Sequence, residues 1–238
     1  MSIAVMQPYF FPYLGYFQLI QAVDTFVFYD DVNFIKQGYI NSNAVIVNNR
    51  NYKFTVPLTK MSSHKAIKDT FVNGHLYFSW KKKFLKTIWQ EYNKAICFEA
   101  VYELIKRVLD HDEVTTIADL TIFSIEECAT YLEIPVQFKI SSKDYSETHG
   151  LSREKRLQAI CFKEQSKKYI NPSGGKTLYT KENFSINNIE LWFIKNNLAV
   201  YPQVNRKGGF ISGLSIIDVL MNNDVTSLRK MLLDYNLD

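Results

Sequence analysis

A single segment governs the predicted architecture: Met6-Gln7-Pro8-Tyr9-Phe10-Phe11-Pro12-Tyr13-Leu14-Gly15-Tyr16-Phe17. The apolar run Ile3-Ala4-Val5 before it predicts a buried first strand, and the apolar pattern from Tyr16 to Val23 predicts the first helix. Its two prolines fix φ and remove backbone donors, so the joining loop is stiff. A strand, a turn and a helix form the opening half of a βαβ unit, whose loop lies where open α/β sheets bind ligands.

Length and composition favour one large domain. The 238 residues are 47% hydrophobic, which is enough to bury a substantial core, and the net charge of +4 is too small to indicate nucleic-acid binding. The three cysteines are widely spaced, as expected for small core residues in a reducing compartment. Because we find neither a signal-peptide pattern nor an apolar run of roughly 20 residues, we predict a cytoplasmic protein without a membrane span.

The remaining patterns predict a mixed, largely parallel sheet. Further strands are predicted at residues 25–29, 136–140, 168–170 and 189–193, and a hairpin at residues 44–57. Apolar spacings of three and four residues predict helices within residues 77–132 and two amphipathic helices at the C-terminus. We therefore predict a single α/β domain over residues 1–238 that opens with a βαβ unit, with a helical insertion at residues 77–132.

Candidate catalytic groups follow the second predicted strand. Asp30 or Asp31 could orient a sugar hydroxyl, act as a general base towards an amine, or hold Mg²⁺, and a capped turn is the structural alternative. His149 lies in a polar loop before a predicted helix and is the histidine that we consider as an acid or base. The four histidines lack metal-ligand spacing, so we predict no metal site.

Amides and aromatic rings near these carboxylates suit a sugar or a nucleobase. Tyrosine offers a stacking face with a polar tip, and asparagine both donates and accepts hydrogen bonds. The candidate substrate-binding residues here are Gln7, Tyr9, Tyr16, Asn33, Lys36, Asn41 and Asn43. We expect one pocket to be lined by Gln7, Tyr9, Asp30, Asp31, Asn41 and Asn43. The alternatives are ordinary turn chemistry and a hydrophobic plug that closes the end of the sheet.

A glycine-rich turn supplies a second candidate subsite. Ser173, Gly174, Gly175 and Lys176 follow a predicted strand, and paired glycines followed by a lysine are typical of an anion-binding nest. A plain Gly-Gly turn is the alternative. Two further candidates for substrate binding are Tyr179, just downstream, and Gln203, in a segment that could close over a site.

Several motifs together resemble the WbqC-like protein family. They are the opening segment from Gln7 to Phe17, Asp30-Asp31-Val32-Asn33-Phe34, Asn41-Ser42-Asn43, Ser173-Gly174-Gly175-Lys176-Thr177-Leu178-Tyr179, Tyr201-Pro202-Gln203 and Leu214-Ser215-Ile216-Ile217-Asp218-Val219-Leu220. The resemblance implies a bacterial protein associated with gene clusters for O-antigen, lipopolysaccharide and other surface polysaccharides. Such clusters often make nucleotide-linked amino sugars whose amine is acylated or aminoacylated. The resemblance supplies no catalytic residue.

Three hypotheses of function follow. The first is a transferase that moves an acyl or aminoacyl group to the amine of a nucleotide-linked amino sugar. It needs no tightly bound cofactor, its donor is left open, and the one nucleic acid it allows is an aminoacyl-tRNA donor. The second is nucleotidyl or phospho-sugar transfer, because the opening unit faintly resembles nucleotidyltransferases with a HIGH motif; Leu14-Gly15-Tyr16-Phe17 stand in its place here. The third is a non-enzymatic module that binds sugar nucleotides.

Overall fold

A six-stranded, mostly parallel sheet organises the protein. The structure, a computed structural model, describes residues 1–112, 114–198, 200–204 and 208–238. The strands are β1 (Ser2–Met6), β2 (Thr25–Phe28), β3 (Ser42–Val47), β4 (Arg50–Thr55), β5 (Gln137–Ile140), β6 (Lys168–Pro172), β7 (Glu190–Asn196) and β8 (Tyr235–Leu237). The main sheet has the order β5-β2-β1-β6-β7-β8, and β3 pairs with β4 in a separate hairpin. The first five strands of that order run parallel, and β8 is antiparallel to β7.

Helices accompany the strands along the whole described chain. They are α1 (Leu14–Gln21), α2 (Gly74–Tyr92), α3 (Phe98–Leu109), α4 (Ile117–Tyr131), α5 (Ser141–Asp144), α6 (Arg153–Lys163), α7 (Lys181–Ser185), α8 (Ile216–Asn222) and α9 (Val225–Leu233). These elements confirm the predicted class, a mixed α/β fold with a largely parallel sheet and C-terminal helices. Most of the α2–α4 region falls inside residues 77–132, whose standing as an insertion within one domain stays a prediction.

The opening unit is built as predicted. β1 and β2 are parallel neighbours, with Ile3 opposite Thr25 and Met6 opposite Phe28, and α1 connects them. Gly15 lets α1 approach the end of β7, because a Cβ on Gly15 would lie 2.8 Å from Cγ of Asn196. The side chain of Asn196 donates a hydrogen bond of 3.2 Å to the Gly15 carbonyl. A larger residue at position 15 would collide with Asn196, so the close packing of α1 against the end of β7 requires glycine there.

Both faces of the central strands are covered. Successive side chains of a strand point to opposite faces. Ala4 and Phe26 accordingly join the larger hydrophobic core, whereas Ile3 and Val27 join a smaller core that also contains Leu157 of α6. Burial on both faces explains why β1 and β2 are continuous apolar runs in the sequence instead of alternating ones.

Two local details differ from the predictions. The hairpin turns on Asn48 and Asn49, both with positive φ, so β4 begins two residues before the predicted strand. The last helix ends at Leu233, and Tyr235–Leu237 forms an edge strand on β7, whereas the C-terminal helix pattern in the sequence (residues 227–235) extends to Tyr235. A strand of three residues is too short to leave a periodic pattern.

Candidate functional site

A cleft opens at the carboxyl ends of β2 and β5. These strands are parallel neighbours, with Phe28 opposite Ile140, so the residues that follow each strand emerge side by side. The cleft has a volume of about 510 Å³ and is lined by Asp31, Asn33, His64, Ala66, Lys68, Asp69, Ser142, Ser146 and His149. We call it the edge cleft. Three of the predicted site residues, Asp31, Asn33 and His149, therefore meet in one place.

Backbone pairing between two loops places the segment that carries His64 and Lys68 beside the cleft. Asn33 forms an antiparallel bridge with Ala66. On either side of this bridge, the Phe34 amide donates to the Lys65 carbonyl at 2.8 Å, and the Lys68 amide donates to the Asp30 carbonyl at 2.9 Å. The segment around residue 66 therefore lies along the segment that leaves β2, and its polar side chains join the same site.

Asp30 fastens α5 to the end of β2. One carboxylate oxygen accepts hydrogen bonds from the Ser141 hydroxyl at 2.9 Å and the Ser142 amide at 3.0 Å, and the other accepts from the Ser142 hydroxyl at 2.6 Å. The side chain is buried and is absent from the lining of the edge cleft. In this arrangement both oxygens of Asp30 hold the start of α5, so a direct action of Asp30 on substrate stays a prediction that this placement does not favour.

Asp31 forms a buried ion pair beneath the cleft. Its Oδ2 lies 2.6 Å from Nη2 of Arg156, both side chains are 5% exposed, and its Oδ1 accepts from the Ser141 hydroxyl at 2.6 Å. Burial raises the pKa of Asp31, but the bonds from Arg156 and Ser141 outweigh burial and hold the pKa below its ordinary value. A carboxylate with a lowered pKa is a weak base, so this geometry favours Asp31 as a group that orients the site.

Arg156 lies on α6, and two contacts hold its side chain in place. Its Nε donates to Oγ1 of Thr148 at 3.0 Å, and its guanidinium lies 4.7 Å from the ring centre of Tyr29. The sequence prediction missed this residue, because charged residues in a polar helix start usually face solvent.

Two histidines border the cleft. His149 follows a short 3-10 helix at Ser146–Thr148, where its amide donates to the Ser146 carbonyl at 3.1 Å. His64 comes from the segment that pairs with the loop after β2, and it is missing from the predicted site because that link is the long-range pairing of Asn33 with Ala66. Histidine is the side chain used most often for general acid and base catalysis. The cleft therefore offers proton-transfer groups from two separate segments of the chain.

The loop after β1, residues 7–13, is largely enclosed; we call it the aromatic loop. Phe10 and Phe11 are fully buried, and the buried Tyr16 hydroxyl donates to the Gln7 carbonyl at 2.9 Å. Tyr9 is half-buried beside Tyr16, and burial, followed by the neighbouring tyrosines, raises its pKa to about 12. Tyr16 thus belongs to the core, in contrast to its predicted place in a substrate pocket.

The asparagines of the 41–43 segment anchor this aromatic loop. Asn43 Nδ2 donates to the Phe11 carbonyl at 2.7 Å, and the Ser215 hydroxyl donates to the same carbonyl at 2.8 Å. Phe11 has a φ of 42°, a conformation that bulky side chains rarely adopt and that these bonds help to hold. Asn41 is also buried and donates to the Val56 carbonyl at 3.0 Å.

The single pocket expected from the sequence is therefore divided. Asp31 borders the edge cleft, Asn41 and Asn43 lie in the interior, and Gln7 and Tyr9 stay half-buried at the end of β1. Lys36 is exposed on the loop that precedes Asn41. The division arises because the amides of Asn41 and Asn43 bind backbone carbonyls and not solvent.

The glycine-rich turn does not form the expected nest. Residues Ser173–Thr177 are a 3-10 helix, and neither Gly174 nor Gly175 has the positive φ that a nest requires. Gly175 is buried against Asn171, while Ser173 and Gly174 are exposed. Lys176 pairs with Asp238 at 2.7 Å. Tyr179 lies half-buried against Phe184, and burial raises its pKa.

Gln203 belongs to a buried network around Asp218. Asp218 accepts hydrogen bonds from the hydroxyls of Tyr92 at 2.6 Å and Tyr201 at 2.7 Å, and from Nε2 of Gln203 at 3.1 Å. Gln203 also exchanges two hydrogen bonds with the backbone of Ile211. Burial raises the pKa of Asp218, although these donors oppose the increase. This placement gives Gln203 a structural role, in contrast to the predicted contact with substrate.

Comparison with known proteins places the chain in a family. Residues 7–230 match the model of the WbqC-like protein family, and the chain belongs to that family. The chain is also similar to Uncharacterized protein Rv1507c of Mycobacterium tuberculosis, with 26% identity over 223 residues, which is 93% of each chain. No solved structure gives a significant match. In the described part of the chain, no helix combines the length and apolar character that a membrane span requires.

Proposed function

We propose that this protein transfers an acyl or aminoacyl group to the amine of a nucleotide-linked amino sugar during synthesis of a bacterial surface polysaccharide such as O-antigen. The observation that carries the proposal is the edge cleft, where two histidines, a lysine and an asparagine surround about 510 Å³. Binding sites for small molecules commonly have volumes of this order. The polar lining suits a sugar better than an apolar ligand.

The residues of the cleft support a complete transfer step. The substrate amine attacks the acyl carbonyl carbon, a histidine accepts the amine proton, and the leaving group departs with its bonding electron pair and is protonated. We assign proton transfer to His149, with His64 as the second imidazole of the cleft lining. Lys68 is a donor suited to the negative charge that develops on the carbonyl oxygen, and Asn33 is suited to a sugar hydroxyl.

The first experiment identifies the substrate class. A thermal-shift screen of the full chain against UDP-, dTDP- and GDP-linked amino sugars should reveal at least one stabilising ligand, because a ligand that binds the folded state raises its stability. That sugar nucleotide is then incubated with acyl-CoA or aminoacyl-tRNA, and the N-acylated product is detected by mass spectrometry. Absence of stabilisation by every amino sugar would exclude the proposed acceptor class.

The second experiment tests the site. His149→Ala should lower turnover by about 10²–10⁴ while the sugar nucleotide still stabilises the protein. His75→Ala is the matched control, because His75 is exposed on α2, outside the edge cleft. The same measurement on His64→Ala distinguishes the contribution of His64 to turnover from that of His149. Full turnover in both His149→Ala and His64→Ala would show that the reaction occurs elsewhere.

Nucleotidyl transfer is the second candidate, and the strand order favours it. In the order β5-β2-β1-β6-β7, the chain passes from β1 through β2 to β5 on one side of β1 and from β6 to β7 on the other. Such a switch point, here between β1 and β6, is where doubly wound sheets bind nucleotides. Gln7 and Ser173 follow these two strands. Release of pyrophosphate from a nucleoside triphosphate and a sugar phosphate, in the presence of Mg²⁺, would support this reaction over acyl transfer.

A further inference from the structure

Helix α2 exposes two large aromatic side chains. Phe78 and Trp89 are 58% and 51% exposed, although aromatic residues usually lie mostly inside. About three helical turns separate them, so they lie on nearly the same side of the helix. Phe78 and Trp89 therefore form a short row of aromatic side chains in water.

Unpaired lysines accompany this row. Lys82, Lys83 and Lys86 are exposed on α2 and have no acidic partner among the described residues, whereas Lys81 pairs with Asp110 at 2.6 Å. Lys82 Nζ lies 4.6 Å from the ring centre of Phe78, so the lysine stem lies over the aromatic ring. This face of α2 therefore combines apolar bulk with a local excess of positive charge.

We propose that the exposed face of α2 docks the protein on a membrane surface that contains anionic phospholipids. In this arrangement Phe78 and Trp89 enter the boundary between headgroups and acyl chains, where aromatic side chains are favoured. Lys82 and Lys86, on the same side of the helix, face the lipid charge. The inference concerns attachment to a surface and is independent of the proposed transferase activity.

Charge and apolarity together favour this partner over two others. A twofold contact between copies of α2 would place the unpaired lysines of one copy against those of the other, because such an interface uses the same patch twice. A nucleic-acid duplex would neutralise the lysines but, with its bases stacked inside, would leave Phe78 and Trp89 without apolar surface to cover them. An anionic bilayer satisfies both components at once.

The test is co-sedimentation of the full chain with vesicles. We expect binding to phosphatidylcholine vesicles that contain about one third phosphatidylglycerol, and little binding to pure phosphatidylcholine, because the attraction depends on anionic lipid. The triple variant Lys82→Ala, Lys83→Ala, Lys86→Ala should bind about 100-fold more weakly, given about fivefold for each lysine near the surface. Lys155→Ala with Lys167→Ala is the control, since both lysines are exposed elsewhere.

A second pair of variants tests the aromatic contribution. Phe78→Ala with Trp89→Ala should weaken vesicle binding, whereas Phe162→Ala, at a phenylalanine 63% exposed on α6, should not. Tryptophan fluorescence should shift to the blue when wild-type protein meets anionic vesicles, and Trp89→Phe should abolish the shift.

The proposal is overturned if the wild type does not sediment with anionic vesicles, or if the triple lysine variant binds as well as its control. It is also overturned if the protein sediments equally with and without anionic lipid, because it dimerises at high concentration, and if Trp89→Ala removes that dimerisation. Binding of tRNA that depends on the three lysines, in a protein that ignores vesicles, would identify a nucleic-acid surface instead. Unchanged transfer to a soluble sugar nucleotide is expected in the triple variant, which keeps this result separate from the proposed function.

Discussion

The edge cleft and the aromatic loop leave neighbouring strands of the same sheet, yet they differ in what their polar groups contact. At the edge cleft, Asp31 is neutralised by Arg156, and the adjacent polar side chains line a cavity. At the aromatic loop, Asn43 and Ser215 both bind the Phe11 carbonyl, and the nearby Asp218 receives neutral donors from Tyr92 and other residues. One region keeps polar groups available to a ligand, and the other uses them to hold the backbone.

This difference shows that a distinctive motif need not be a reaction site. The segment from Gln7 to Phe17 carries the strongest resemblance to the family, but much of it packs in the core. Backbone geometry explains its Gly15, which Asn196 approaches closely. It also explains Asn43 of a later motif, which binds the carbonyl of Phe11, a residue with positive φ. The residues suited to chemistry come from less distinctive loops that meet at the end of β2.

Loss of the cation beneath the cleft should have the largest effect on stability. Arg156→Met leaves Asp31 buried without its partner, and breaking a buried ion pair typically costs about 3–5 kcal/mol. Arg153→Met is the control, because Arg153 is exposed at the start of the same helix. The measurement is urea unfolding at neutral pH. The double variant Arg156→Met, Asp31→Asn should recover part of the loss, and no recovery would contradict the ion-pair explanation.

An anchor of the aromatic loop should matter less. Asn43→Ala removes a donor from the buried Phe11 carbonyl and an acceptor from the Ala44 amide, so we expect a loss of about 1–3 kcal/mol in unfolding free energy. The smaller value reflects Ser215, which still binds the carbonyl. Asn33→Ala, at an exposed asparagine, should be close to wild type in the same unfolding assay. Equal losses in both variants would remove the distinction between the two regions.

The fold could be predicted because its signals are local. The run Ile3-Ala4-Val5, the prolines of the next loop and the apolar pattern after Tyr13 each act within a few residues, and together they specify a strand, a turn and a helix. Parallel pairing of β1 with β2 then follows from the connection through α1.

Residues of the candidate site could be predicted only where they directly follow a strand that the sequence itself predicts. Asp31 and Asn33 follow β2 directly, and both border the cleft. Arg156 is 125 residues from Asp31 along the chain, and Asn43 is 32 residues from the carbonyl that it binds, so neither partnership leaves a mark in the local sequence. His64 likewise reaches the cleft through the pairing of Asn33 with Ala66.

Acidification should affect the two buried carboxylates in opposite directions. The folded-state pKa of Asp31 lies below its ordinary value, so its contribution to stability is present above that value and is lost as pH falls through the folded pKa. The pKa of Asp218 is raised by burial, so its contribution is present below the ordinary aspartate pKa of about 3.9 and is lost as pH rises through the raised pKa.

Unfolding of the wild type, Asp31→Asn and Asp218→Asn across an acidic pH series measures both effects. As pH falls, the free energy of unfolding of the wild type should decrease relative to that of Asp31→Asn. Relative to that of Asp218→Asn, the free energy of unfolding of the wild type should increase as pH falls. Differences that move in the same direction would show that one of the two environments is described incorrectly.

The smallest effect is expected at the glycine-rich turn. Lys176 pairs with Asp238 as Arg156 pairs with Asp31, but the side chains of Lys176 and Asp238 are about half exposed, and solvent screens such pairs. Lys176→Ala should therefore leave the unfolding midpoint within error of the wild type. Because the turn is a 3-10 helix without a nest, affinity for a sugar nucleotide, measured by calorimetry, should also be unchanged. Weaker binding with unchanged stability would instead place a phosphate of the ligand at Lys176, beside the switch point between β1 and β6, and would favour nucleotidyl transfer.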